Sequence, residues 1–137
     1  MSNILLHEPY FFSDEIKNVS NCIKTGWVST GGKFVKKFED NLVQYTKSKY
    51  SVALNSGTTA LDLSLKAISV KAKDEIIVPT ITFIAPINAV LYNSCDPVFM
   101  DCDHYGNIDL VKVKEFIINN TVFKNGISIN KKTKKRI

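Results

Sequence analysis

Apolar positions along the chain follow two rhythms. The first two stretches are helical. Ser13-Asp14-Glu15 supplies an N-cap hydroxyl and two carboxylates for the positive end of a helix dipole, Ile16, Val19 and Ile23 follow at helical spacing, and Gly26 can close the turn. After a loop through Trp27-Val28-Ser29-Thr30-Gly31-Gly32, the residues Phe34, Val35, Phe38, Leu42 and Tyr45 mark one face of a second helix, with Lys36, Lys37, Glu39 and Asp40 on its wet side. From there the rhythm alternates. Tyr50 to Leu54 predicts a short strand, and Thr58 to Ser69 a helix carrying Leu61, Leu65 and Ile68 on one face. Glu75 to Val78 predicts a second, buried strand stopped by Pro79. Ile84 to Tyr92 predicts a helix that tolerates Pro86 in its first turn, Pro97 to Met100 a third strand, and Leu110 to Ile118 a last helix.

Strand and helix in alternation predict the α/β class, an open parallel-rich sheet with flanking helices whose ligands gather beyond the carboxyl ends of the strands. Asn55 to Thr58 and Thr80 to Phe83 both fall just after strand ends, so two candidate site segments belong on one edge of one sheet. Beyond Asn119 the apolar period is lost. Residues 1–137 are expected to form a single incomplete domain, with 119–137 as its irregular, truncated end.

A chain of 137 residues can bury roughly two thirds of its unfolded surface. No stretch reaches the roughly 18 apolar residues of a membrane span, and Met1 to His7 lacks the basic start and apolar centre of a secretory signal, so a cytoplasmic location is expected. Cys22, Cys95 and Cys102 are three in number with no C-x-x-C pair, which argues against a disulfide framework and a zinc knuckle and for packing thiols. The net charge of +5 suggests nucleic acid only until it is located. Lys131, Lys132, Lys134, Lys135 and Arg136 hold it; without them basic and acidic residues are equal at 13 each. A nucleic-acid footprint would spread over a face of the fold. A solvated turn ahead of a further strand is the simpler expectation, and no nucleic-acid partner is assigned.

The candidate chemistry centres on Asn55-Ser56-Gly57-Thr58-Thr59. A phosphate seeks backbone N–H groups that no carbonyl has claimed, and the first turn of a helix offers them. Gly57 permits close approach, and the hydroxyls of Ser56, Thr58 and Thr59 can add donors. Plain capping by Ser56 or Thr58 explains the same residues. Neither a Walker motif nor a G-x-G-x-x-G fingerprint is present. Phe83 can stack on a bound heteroaromatic ring or pack in the core. Asn88 is open between a core polar residue and a site donor. Asp101 and Asp103 could act as an acid–base pair, but a polar strand end turning through His104 to Asn107 accounts for them. His7 and His104 have no ligand spacing, and no metal is assigned.

Taken together, these segments resemble the DegT/StrS family of pyridoxal-phosphate-dependent nucleotide-sugar aminotransferases. The resemblance is carried by Gly26 to Glu39, Ala53 to Leu61, Asp74 to Ala85, Asn88-Ala89-Val90 and Pro97 to Asp101, in the family's order and over about residues 3 to 118. It implies the N-terminal part of a fold-type-I transferase large domain, commonly a homodimer with sites at the interface. Gly57 and Thr58, with Ser56 beside them, would hold the phosphate of pyridoxal 5'-phosphate. Phe83 would stack on the pyridine ring. Ser29 and Thr30 would lie in a loop near the sugar nucleotide.

The implied reaction moves an amino group, typically from glutamate, to a keto nucleotide-sugar on the way to a surface polysaccharide. The resemblance puts the Schiff-base lysine and the acidic partner of the pyridinium nitrogen beyond Ile137, so no residue here is assigned as catalytic. The chain alone is expected to be inactive and unable to attach the cofactor covalently. Some relatives carry histidine at the lysine's position and dehydrate the sugar instead. The alternative expectation is a non-catalytic remnant that binds cofactor or phosphate, or docks on a dimer surface.

Overall fold

The computed structural model describes Ile4 and residues 7–137, so the reading of Met1 to His7 falls mostly outside the described residues. The chain divides into two compact units, Met1–Ala53 and Leu54–Ile137.

The amino-terminal unit carries two helices, α1 (Ser13–Thr25) and α2 (Lys33–Thr46). Phe12 rather than Ser13 takes the N-cap position of α1. Its N–H donates to the Glu15 carboxylate at 2.8 Å, a bond that the acidic first turn makes available. Gly26, at φ 74°, closes α1 in the left-handed region that glycine enters without strain. The stripe Ile16, Val19, Ile23 forms as expected, yet no residue of α1 is buried. Gly31 and Gly32 lie under Trp27, where a Cβ on either would stand 3.6 Å from that residue.

The strand expected over Tyr50 to Leu54 does not form; these residues are irregular. A strand exists only as a partner in a ladder. Here the Ala53 N–H is claimed by the Glu39 carboxylate of α2 at 2.8 Å instead of by a neighbouring strand.

The carboxyl-terminal unit contains α3 (Gly57–Ala67), β1 (Glu75–Pro79), α4 (Ile84–Tyr92), β2 (Asp96–Met100), α5 (Leu110–Asn120), β3 (Thr121–Lys124) and β4 (Ile127–Asn130). Strands β1 and β2 pair in parallel from Glu75 opposite Asp96 to Pro79 opposite Met100, and α4 makes the crossover between them. Pro86 is the third residue of α4, where no intrahelical N–H bond is lost. Val78, Val90 and Cys95 form the buried centre, ringed by Leu65, Val70, Ile76 and Ile87. The buried Cys95 thus packs as expected, and burial pushes its thiol above the ordinary value.

The end expected to be irregular is ordered. β3 and β4 form an antiparallel hairpin whose two turn residues, Asn125 (φ 53°) and Gly126 (φ 79°), are both left-handed, as a tight two-residue turn demands. Part of the basic run is not solvated either. Arg136 bridges to Ile129 of β4 on one side, and its carbonyl accepts the Glu75 N–H of β1 at 2.7 Å on the other. Its guanidinium pairs with Asp74, with Nε at 2.8 Å from Oδ2, and Lys135 pairs with Asp96. The buried amide of Asn130 donates to buried Glu75 at 2.7 Å.

Burial alone would push the Asp74 carboxyl up, but the Arg136 guanidinium and the Lys71 N–H outweigh it and hold the carboxyl below its ordinary value. A depressed carboxyl contributes stability that is full above the ordinary carboxylate range and fades as pH falls through the lowered value. Arg136→Ala should therefore destabilise by about 2 kcal/mol at neutral pH. Its urea midpoint should fall less steeply than that of the parent between about pH 5 and about pH 2. Parallel acid profiles for the two proteins would remove the pair from the stability account.

Ser94, at φ 55°, makes the tight link from α4 to β2, and its carbonyl accepts the Lys73 N–H at 2.7 Å. A side chain there is strained. Ser94→Gly should raise stability by roughly 0.5–1 kcal/mol, read as a higher urea midpoint at unchanged slope.

Candidate functional site

Ser56 stands at the head of α3 in extended conformation, and its Oγ accepts the Thr59 N–H at 3.2 Å. The Ala60 N–H reaches the Ser56 carbonyl at 3.0 Å, which is the first intrahelical bond. Of the helix's orphan donors, Thr59 is thus consumed by the cap. The N–H groups of Gly57 and Thr58 have no hydrogen-bond partner among the described residues. Of the two readings of this motif, capping is realised by Ser56, and the neighbouring residues retain the donors that anion binding would require. Ser56 caps, and Gly57 with Thr58 keeps donors free.

Gly57 carries the sharper sign. A Cβ there would meet nothing within 4 Å, and its backbone is outside the left-handed region. Neither packing nor conformation among the described residues calls for glycine, and the open space leaves room for close approach by an external group. The first turn of α3 also contains no acidic residue, so an anion would meet the positive end of the dipole without a competing carboxylate.

Phe83 occupies the N-cap position of α4 and is 88% exposed. The core reading of this ring is not realised. The bend before it is held against the end of β2: the Thr80 N–H donates to the Met100 carbonyl at 2.9 Å, and the Ile81 N–H donates to Cys102 Sγ at 3.4 Å. Cys102 therefore anchors the segment that presents Phe83. Nothing in the sequence signals this contact, which spans 21 residues.

Asp103 Oδ1 accepts the N–H groups of Tyr105 and Asn107, both at 2.9 Å, and so serves the turn as expected. Asp101 pairs with Lys112 at 2.6 Å and holds that ammonium above its ordinary value. The two carboxylates are thus engaged separately. Asn88 is half-buried on α4. Among the described residues no group of three or more potential metal ligands occurs, and no helix is long and apolar enough to cross a membrane.

Ser56, Gly57, Thr58 and Phe83 share the carboxyl-terminal unit, on α3 and α4, which pack against each other. Ser29 and Thr30 belong to the amino-terminal unit, exposed in the loop between α1 and α2. A cavity of about 280 Å³ lined by Ile68, Val70, Ile76, Ile127 and the Asp74–Arg136 pair includes none of these site residues.

The model of the DegT/DnrJ/EryC1/StrS aminotransferase family matches residues 10–129. The chain belongs to this family. It is 35% identical over 104 residues to GDP-perosamine synthase of Escherichia coli O157:H7, covering 76% of this chain and 29% of that protein. It is also 35% identical over 112 residues to dTDP-3-amino-3,6-dideoxy-alpha-D-galactopyranose transaminase of Aneurinibacillus thermoaerophilus, covering 80% and 31%.

Among solved structures, it resembles Spr1654 of Streptococcus pneumoniae, assigned as a sugar aminotransferase and solved in its PLP form. The TM-score is 0.72 at 32% identity over 83% of this chain and 29% of that one. GDP-4-keto-6-deoxymannose-3-dehydratase with bound GDP-perosamine aligns with a TM-score of 0.71 at 28% identity, over 82% and 31%. The DegT/StrS resemblance read in the sequence is borne out, and so is the α/β fold class of a fold-type-I domain. The chain spans about 30% of the length of the relatives it matches.

Proposed function

We propose that this chain provides the phosphate cradle and ring wall of a pyridoxal-phosphate-dependent aminotransferase that moves an amino group, typically from glutamate, onto a keto nucleotide-sugar. The observation that carries this reading is the pair of free N–H groups at Gly57 and Thr58, beside a glycine the chain itself does not need. Family membership and the relatives named for amino sugars support the substrate class. When bound, the cofactor would supply the electron sink for amino transfer.

The residues present fit its phosphate end. Gly57 and Thr58 would donate their N–H groups to the phosphate oxygens, with the hydroxyls of Ser56 and Thr58 in reach as further donors. Ser56 keeps its cap while doing so, which holds the first turn in place. Phe83 would cover one face of the ring and exclude water from it. Ser29 and Thr30 are assigned to the sugar-nucleotide side. A homodimer and a cytoplasmic location belong to the same reading. We assign the covalent and proton-transfer steps to none of these residues.

Two outcomes test this assignment. Gly57→Ala places a methyl group into open space, so the thermal midpoint should hold or rise slightly, while affinity for pyridoxal 5'-phosphate should fall about tenfold or more. Unchanged affinity would move the phosphate elsewhere. Borohydride reduction after incubation with pyridoxal 5'-phosphate should give only scattered substoichiometric lysine labelling. One lysine labelled stoichiometrically would place the covalent step within this chain.

A further inference from the structure

We propose that Asp62 and Asn93 are positioning residues for the cofactor site, because their hydrogen bond locks the helix bearing the phosphate cradle to the helix bearing the ring wall. This inference rests on the cofactor assignment above. The two halves of that site stand on different elements, Gly57 and Thr58 at the start of α3 and Phe83 at the start of α4. A ligand that touches both gains from both only if their spacing is held to within a fraction of an ångström.

Apolar packing brings α3 and α4 together, with Leu65 of α3 and Ile87 of α4 both against the core of Val78, Val90 and Cys95. Such burial is non-directional, whereas a hydrogen bond has a set length and direction. Asn93 Nδ2 donates to Asp62 Oδ1 at 2.8 Å, and among the described residues this is the one side-chain hydrogen bond joining the two helices.

Both partners are themselves held. Asn93 gives its other amide hydrogen to the Ala89 carbonyl at 2.8 Å, which fixes the side chain against its own helix. Asp62 Oδ2 takes the Lys66 ammonium at 2.8 Å, one turn along α3. The Asp62 side chain is only 23% exposed, so water does not readily replace the bond. Asp62 lies five residues after Gly57, roughly 7 Å along the helix. Neither residue belongs to the cradle or the ring wall, so their effect passes through the helices.

The test compares two probes that share a phosphate. Pyridoxine 5'-phosphate carries ring and phosphate but no aldehyde to react with surface lysines, and inorganic phosphate carries no ring. In the parent chain the ring should add affinity over phosphate alone. Asn93→Ala and Asp62→Ala should each cut that advantage roughly fivefold while leaving phosphate affinity unchanged. The double variant should be no worse than either single, since both remove one bond. Asp62→Asn retains the acceptor oxygen and should keep most of the advantage, and Lys66→Ala, which spares the interhelical bond, should keep all of it.

An unaltered ring advantage in Asn93→Ala and Asp62→Ala, with phosphate still bound, would overturn the positioning role and leave the site assignment standing. Loss of phosphate affinity together with the thermal midpoint would reduce the bond to a structural one and overturn the proposal equally. A parent chain that binds neither probe would overturn the site assignment, and this inference with it. If Asn93→Ala does not fold, the Asp62→Asn and Asp62→Ala pair decides alone.

Discussion

Two parallel strands cannot be joined by a tight turn, and that constraint organises the carboxyl-terminal unit. The chain must leave β1 at Pro79, cross over the sheet as α4 and return to begin β2 at Asp96. The crossover buries Val78 of the first strand, Val90 of the helix and Cys95 at the return in one small cluster. It also dictates that the segment after β1 arrives at the sheet's carboxyl edge with a helix about to start. Phe83 sits at that junction as the N-cap of α4, with its ring exposed. The position of the segment that carries Phe83 is a by-product of how a parallel pair has to be connected.

Around that pair the chain uses polar ties as much as apolar burial. Asp74 and Glu75 are both buried at the start of β1, and each is met from the far end of the sequence, by Arg136 and by Asn130. A buried carboxylate without a partner is costly, so these contacts matter more for what their loss would leave behind than for what they add. They turn the tail that raises the net charge to +5 into a strut between the hairpin and the parallel pair. Part of the positive charge of this chain is therefore spent on ion pairs within the fold.

The site was legible in part. Ser56-Gly57-Thr58 could be read as cap or as cradle, and the residue types alone favoured the cap. The division of labour, with Ser56 spent on Thr59 and two donors left over, depends on which N–H each oxygen meets. Phe83 was equally ambiguous, since the same aromatic serves a core or a binding wall. In this structure the ring is exposed, so it does not pack in the core of the carboxyl-terminal unit. Cys102 under Ile81 and Asn93 against Asp62 carried no signal, because partners 21 and 31 residues apart are set by packing and not by spacing.

What the sequence by itself determined is local. The periods of the helices, the two parallel strands and the turn-serving role of Asp103 follow from residue type and spacing over short windows, and the family was visible as a resemblance that the family model then bore out. The hairpin at Asn125-Gly126 was not read from the sequence, whose pattern predicts an irregular end beyond Asn119, although Asn-Gly is a turn signal. The tertiary structure decided everything that needs a second segment. Tyr50 to Leu54 has a strand's composition but no neighbouring strand, and its Ala53 N–H turns to Glu39. Arg136 looked like solvated charge until Asp74 stood beside it. A ladder, an ion pair and a two-helix site are each relations between distant parts of the chain, and the distance between those parts is written only in the fold.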